Sequence, residues 1–132
     1  MGIDDERLLH AAKAVRQNAY AVFSGYRVGA AVMDEIGRVH TGCNVENSSF
    51  PQGSCAEANA IAAMIAAGGT HIAAIAAVGG REEPEACTPC GGCRQIIQEF
   101  ADANTRVILI GENGKVETHL IDALLPSSFR LR

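Results

Sequence analysis

Two short segments of this chain hold the residues best suited to chemistry: Ser54-Cys55-Ala56-Glu57 and Thr88-Pro89-Cys90-Gly91-Gly92-Cys93. Cys90 and Cys93 are three apart. At a helix start that spacing puts both sulfurs on one side within a turn, where they can chelate a single ion. Pro89 fixes the chain before the turn, and the two glycines let the backbone come close to a metal. The positive potential and free N–H groups of a helix N-terminus favour thiolate over thiol. Cys55, also expected at a helix start, would supply a third sulfur. Three protein ligands leave one corner of a tetrahedral zinc open, the catalytic rather than the closed structural arrangement. Glu57 lies two residues after Cys55, so on a helix it points away from the ligand direction and is poorly placed to bind the same ion. A carboxylate near the open corner is instead suited to carrying protons.

Spacing alone leaves the ligand set open. Cys87-x-x-Cys90 repeats the interval of Cys90-x-x-Cys93, and Cys55, Cys87, Cys90 and Cys93 together would make a closed, inert four-cysteine site. Cys87 precedes the helix, however, and lacks its field. A thioredoxin-like redox reading of either pair needs a preceding strand and leaves the other cysteines unexplained. Cys43 reads as a small buried hydrophobe on a strand. His10, His40, His71 and His119 share no ligand spacing and read as surface or packing residues.

These segments must be held by something. Asp4 and Asp5 offer N-caps for a first helix running to about Asn18, with Leu8, Leu9, Ala12 and Val15 on its apolar side. A loop, Tyr20–Tyr26, leads to a buried strand at Val28–Met33, a turn at Asp34–Gly37, and an antiparallel partner at Val39–Val45. The Pro/Gly/Ser loop Ser48–Ser54 delivers an Ala-rich helix that starts near Cys55 and stops at Gly68-Gly69. Ile72–Val78 reads as a strand, residues 81–89 as a charged loop, and Gly91–Phe100 as a helix. Val107–Ile110 and Val116–Leu120 are strands around a Gly111–Gly114 turn, and Ile121–Leu125 makes a last helical turn. Helix, hairpin and then alternating helix and strand predict a mixed sheet with helices on both faces, with parallel crossovers in its later part.

Composition bounds the function. The 132 residues suit one domain, 1–132, and their 48 % hydrophobic and 20 % charged content excludes a disordered chain. Aromatics are only 5 % and Trp is absent, so the core must pack through small side chains. The apolar run around Ile61–Ala67 falls far short of the ~20 residues of a membrane span. A formal charge of −4 and the lack of any Lys/Arg run argue against DNA, long RNA or anionic membrane as partners, and leave a small ligand allowed. Met1-Gly2-Ile3-Asp4-Asp5-Glu6-Arg7 carries acids where a secretory signal is basic and then apolar, so a cytoplasmic protein is expected. In that reducing setting five cysteines favour metal binding or catalysis over disulfides.

Cys55-Ala56-Glu57 followed by Pro89-Cys90-x-x-Cys93-Arg94-Gln95 resembles the small, all-cysteine, homotetrameric cytidine deaminases. The general zinc-deaminase signature has His where Cys55 stands. Gly42-Cys43-Asn44-Val45-Glu46-Asn47 is similar to the family's ribose-binding segment, Val28-Gly29-Ala30-Ala31 to its first strand, and Leu124-Leu125-Pro126-Ser127-Ser128-Phe129 to its tail. The likeness runs from about Tyr20 to Phe129. It implies an α/β fold of three α/β/α layers around a mixed five-stranded sheet, and one Zn²⁺ per subunit on Cys55, Cys90 and Cys93. It further implies a homotetramer with sites at subunit interfaces.

The implied reaction is hydrolysis of cytidine or 2′-deoxycytidine to the uridine and ammonia, in pyrimidine salvage. Glu57 would take a proton from the attacking water and give it to N3, and would finally protonate the departing amine with the second proton of that water. By the same resemblance Asn44 and Glu46 would bind the sugar hydroxyls, which a two-residue spacing on one strand face permits. The Ala56 N–H would hold O2 of the pyrimidine, and Phe129 would cover the base in a neighbouring subunit. Tyr26 stands where the family usually has a Phe lining the base pocket. The Arg that commonly follows Cys-Ala-Glu and bonds the ligand sulfurs is Ala58 here, and Arg94 or Asn59 is expected to compensate in part. Val22-Phe23 replaces the frequent Pro-Tyr. A blasticidin-type deaminase also lacks that Arg but does not keep Asn-x-Glu-Asn. From another class, a non-catalytic zinc-stabilised binding module would hold its ion with no open position.

Overall fold

A computed structural model describes residues 2–131. The first helix, α1 (Ile3–Arg16), begins one residue ahead of the expected aspartate caps. Gly2 is the N-cap and no side chain caps the end, while Asp4, Asp5 and Glu6 fill the first turn, where the helix dipole favours negative charge. Asp5, Leu8, Leu9, Ala12 and Arg16 form its buried stripe, and Val15 is only half-buried. The helix stops at Arg16 instead of Asn18. Just beyond, the Tyr20 amide must reach the Asn44 carbonyl at 3.0 Å, which draws the chain off the helix axis.

The two strands β1 (Arg27–Asp34) and β2 (Val39–Cys43) make the expected antiparallel hairpin, with Gly29 opposite Cys43 and Met33 opposite Val39. β2 ends two residues earlier than the alternation suggested, because Val45 bridges Ser54 and Tyr20 instead of continuing the ladder. A 3₁₀ turn, Phe50–Gln52, precedes α2 (Ala56–Ala66). That helix closes in a Schellman motif: Gly69 N–H bonds the Met64 carbonyl at 2.9 Å and Gly68 N–H the Ile65 carbonyl at 3.0 Å, with Gly68 at φ +93°. Then come β3 (Ile72–Gly80), α3 (Gly91–Glu99), β4 (Arg106–Ile110), β5 (Val116–Leu120) and the short α4 (Ile121–Leu124).

The sheet order is β2-β1-β3-β4-β5. β3 and β4 are parallel, joined by α3 as expected, and the other neighbours are antiparallel. Alternation along β1 divides the core. Ala31 and Met33 pack with Leu8, Leu9 and Ala12 of α1, whereas Ala30 and Val32 face Ala60, Ile61 and Met64 of α2 and Ile97 of α3. The result is the three-layer α/β/α arrangement. Small residues bring the layers very close. A side chain at Gly42 of β2 would meet the Asn59 backbone at 2.7 Å and the Ala56 carbonyl at 2.8 Å. One at Gly29 of β1 would collide with the Ala12 carbonyl and the Arg16 backbone of α1. α2 and α3 therefore lie on the same face with both N-termini near the ends where β2 and β3 finish.

Candidate active site

Cys55 is the N-cap of α2 and Cys90 the N-cap of α3. The Cys90 Sγ accepts the Cys93 amide at 3.4 Å, as a serine cap oxygen would accept the amide three residues on. The α2 and α3 N-termini converge so that the Sγ atoms of Cys55, Cys90 and Cys93 lie within 4.8 Å of one another. Sulfurs about 2.3 Å from a tetrahedral zinc stand roughly 3.8 Å apart, a separation compatible with the triad's spacing. Cys87 is not in this group. It lines the same cleft without joining the triad, and the closed four-cysteine arrangement is not formed.

The thiols do not share one electrostatic setting. At Cys90 the amides of Cys93 and Gly92 outweigh the effect of burial and lower the pKa, which matches the expected helix-start field. At Cys55 burial dominates and raises it. At Cys93 burial, followed by the charges of Glu57 and Cys55, pushes the thiol far up. The expected preference for thiolate thus holds at Cys90 and fails at the other two, where a divalent cation must displace protons to bind.

The triad lies on the wall of a cleft of about 500 Å³, which also takes in Tyr26, Asn44, Glu46, Ala56 and Glu57. Glu57 is 5 % exposed. Burial raises its pKa, partly offset by its own amide and by a hydrogen bond with Cys93. It therefore sits beside the triad, outside the ligand group but not turned away from it. A buried carboxyl whose pKa is raised by its surroundings is suited to taking up and releasing a proton during a reaction.

Asn44 and Glu46 both reach the cleft, from an extended segment just beyond β2 in which Val45 bridges Ser54 and Tyr20. They follow the end of β2, and each side chain grips the turn before β1. The Asn44 Oδ1 accepts the Val28 amide at 2.8 Å, and its Nδ2 donates to the Tyr26 carbonyl at 2.9 Å. The Glu46 carboxylate accepts from Phe23 and Ser24. Ala56 is fully buried in the first turn of α2, where its amide has no intrahelical acceptor. The Tyr26 ring lies under the Arg81 guanidinium, 5.7 Å from its centroid, and burial and Cys87 push its hydroxyl up to about 12. Phe129 is 70 % exposed and does not line the cleft of its own chain. Its carbonyl is held by Gln95 Nε2 at 3.0 Å.

Neither expected substitute for the missing Arg bonds a ligand sulfur. Arg94 donates to the Pro89 carbonyl at 2.8 Å, the Leu124 carbonyl at 2.9 Å and the Thr88 hydroxyl at 2.9 Å. Asn59 donates to the Cys43 carbonyl at 2.7 Å and the Ser54 hydroxyl at 3.0 Å. Cys43 is half-buried at the end of β2. His40 is tied to buried Asp34 at 2.8 Å, and His71 and His119 pair with Asp102 and Glu117. Sequence reasoning overlooked Phe50, which lines the cleft and stacks edge-on with Phe23 at 5.6 Å. An aromatic in a Pro/Gly/Ser loop was its one available signal. Arg16 carried none: buried on α1, it bonds the Gly80 carbonyl at 2.7 Å.

Known proteins are similar to this chain in sequence and fold. The family model for the cytidine and deoxycytidylate deaminase zinc-binding region matches residues 3–111. A cytidine deaminase of Sporosarcina psychrophila is 37 % identical over 127 residues, covering 96 % of this chain and 92 % of that protein. One from Halalkalibacterium halodurans is 35 % identical over 96 % of this chain and 95 % of its own length. The crystal structure of a cytidine deaminase from Burkholderia pseudomallei superposes with a TM-score of 0.85 at 40 % identity, over 98 % of this chain and 100 % of the other. With a zinc-ready cysteine triad in that shared fold, the chain belongs to the cytidine deaminase family.

Proposed function

We propose that the chain is a zinc-dependent enzyme that hydrolyses cytidine and 2′-deoxycytidine to uridine or 2′-deoxyuridine and ammonia. The observation that carries this reading is buried Glu57 beside the three-sulfur triad, at a cleft large enough for a nucleoside. Zinc held by Cys55, Cys90 and Cys93 supplies Lewis acidity that makes water a nucleophile at neutral pH. Glu57 takes one proton of the attacking water and delivers it to N3; the second, from the hydroxyl added at C4, passes through Glu57 to the departing amine as the C4–N bond breaks and the C4 carbonyl forms. The Ala56 amide holds O2 of the ring, Tyr26 walls the base, and Asn44 and Glu46 receive the sugar hydroxyls.

The working form is a homotetramer in which Phe129 reaches a neighbouring cleft. Support comes from the exposed Phe129 ring on a pinned backbone and from exposed Phe23, Val45 and Phe50 near the cleft rim. One domain and a cytoplasmic location fit the same reading, with five free thiols suited to a reducing compartment. Among the described residues no helix is long and apolar enough to cross a membrane.

An ultraviolet absorbance assay with cytidine, 2′-deoxycytidine and blasticidin S, run beside a zinc determination, tests the proposal. Turnover of both nucleosides with about one zinc per chain is the expected result. Turnover of blasticidin S alone would move the assignment to modified cytosines. No absorbance change in zinc-loaded protein would leave a binding module.

A further inference from the structure

The turn between α1 and β1 meets the cleft at a single carboxylate. Glu46 Oε1 accepts the amides of Phe23 and Ser24 at 2.9 and 3.1 Å, and Oε2 accepts the Ser24 hydroxyl. The same hydroxyl oxygen accepts the Tyr26 amide at 3.0 Å. A serine hydroxyl has one proton to give. With the Tyr26 N–H directed at the oxygen's lone pairs, that proton is turned toward Glu46. An ionised carboxylate offers about four acceptor positions, and three are taken from the side of the turn. About one is left for the cleft.

Asn44 is tied to the same turn through the Tyr26 carbonyl and the Val28 amide. Thus Phe23–Val28 grips both side chains read as sugar ligands, and it contains the tyrosine read as the base wall. Of these contacts the Ser24 hydroxyl alone fixes Oε2. Without it that oxygen has no partner within the turn, and the carboxylate can rotate about its terminal torsion or hydrate.

We propose that Ser24 is a positioning residue for sugar recognition, aiming the Glu46 carboxylate so that its remaining acceptor faces a hydroxyl of the nucleoside. The inference rests on the reading of Glu46 as a sugar ligand given above. Ser24 therefore helps the cleft tell a nucleoside from a base without a sugar. Its contribution is preorganisation, which lowers the ordering cost of binding and leaves the chemical step alone.

The test compares zinc-loaded wild type with Ser24→Ala, Ser24→Cys and Ser24→Thr, using cytidine as substrate and uridine and 1-methyluracil as competitive inhibitors. Ser24→Ala should raise KM for cytidine and weaken uridine inhibition about tenfold, the size expected for losing a hydrogen bond to a charged group. Its kcat should change less than about twofold and 1-methyluracil inhibition should hold. Ser24→Cys, similar in shape but a weak donor, should follow Ala, and Ser24→Thr should restore wild-type values. Equal weakening of uridine and 1-methyluracil, or no change in either, overturns the proposal. Glu46→Gln separates the two layers. If Glu46→Gln weakens uridine and Ser24→Ala does not, only the role of Ser24 falls. If Glu46→Gln leaves uridine binding intact, the sugar reading falls and takes the proposal with it.

Discussion

The Arg94 guanidinium binds the Leu124 carbonyl at 2.9 Å while its Nε holds the Pro89 carbonyl at 2.8 Å, so one side chain ties the end of α4 to the turn that delivers Cys90. The residue acts on the backbone, and the ligand sulfurs are not among its partners. Arg94→Ala should lower stability by about 2 kcal/mol through the orphaned carbonyls. It should also weaken zinc binding while leaving the pH dependence of kcat in place. Thermal melts, a zinc competition titration and a pH–rate profile check this together. A displaced profile would mean that the guanidinium charge tunes the centre directly.

Glu57 is the group whose surroundings suit proton transfer. Glu57→Gln keeps the shape and removes the exchangeable carboxyl, so kcat should fall about 10²–10⁴-fold with zinc still bound. Single-turnover rates and metal analysis on the same preparation provide the check. Near wild-type turnover would remove Glu57 from the mechanism.

Metal binding should separate the cysteines by position. Cys87→Ser is expected to keep about one zinc per chain, whereas Cys90→Ser should lose it. Because burial raises the thiols of Cys55 and Cys93, zinc must displace their protons, and its affinity should fall as pH is lowered from 8 to 6. Chelation should abolish turnover and add three reactive thiols to the two outside the triad, Cys43 and Cys87. Loss of the ion in Cys87→Ser would restore the four-cysteine reading.

Asp34 gives a pH dependence at the far end of the hairpin. The carboxyl is 1 % exposed; burial works against its charge, but His40, the amides of Arg38 and Ile36, and the Arg38 side chain hold its pKa well below the usual carboxylate range. The Arg38 Nε and His40 Nε2 each approach at 2.8 Å. A depressed carboxylate stabilises the fold above its unfolded pKa of about 3.9 and loses that contribution as pH falls through the folded value. Asp34→Asn should cost about 2 kcal/mol at pH 7, with the gap to wild type narrowing below about pH 4. Urea midpoints of both proteins between pH 7 and 3 measure it. A gap that stayed constant would refute the assignment.

Much of this was legible in the residues because local chemistry and tertiary structure agree. Gly68-Gly69 favours a helix stop, Asp34–Gly37 turns a hairpin, and cysteines three apart at a helix start bring their sulfurs to one side. The illegible parts depend on remote partners. Nothing near Val45 announces that it pairs with Ser54 and Tyr20, so the alternation predicts β2 two residues longer than the ladder that forms. Nothing around Arg16 marks it as buried, and its partners are carbonyls 64 and 65 residues away. Arg94 stands next to a cysteine of the triad in sequence, while its partners are Leu124, Pro89 and Thr88.

The seating of α2 against Gly42 has a wider consequence. Cys55, Ala56 and Glu57 ride on a helix that rests on the sheet backbone itself, with no intervening side chain to cushion a change. The position of the triad's α2 end is therefore set by the sheet floor, and the loops around the cleft are the parts free to vary without shifting it. Any residue larger than hydrogen at position 42 would lift sulfur, amide and carboxyl as one rigid piece.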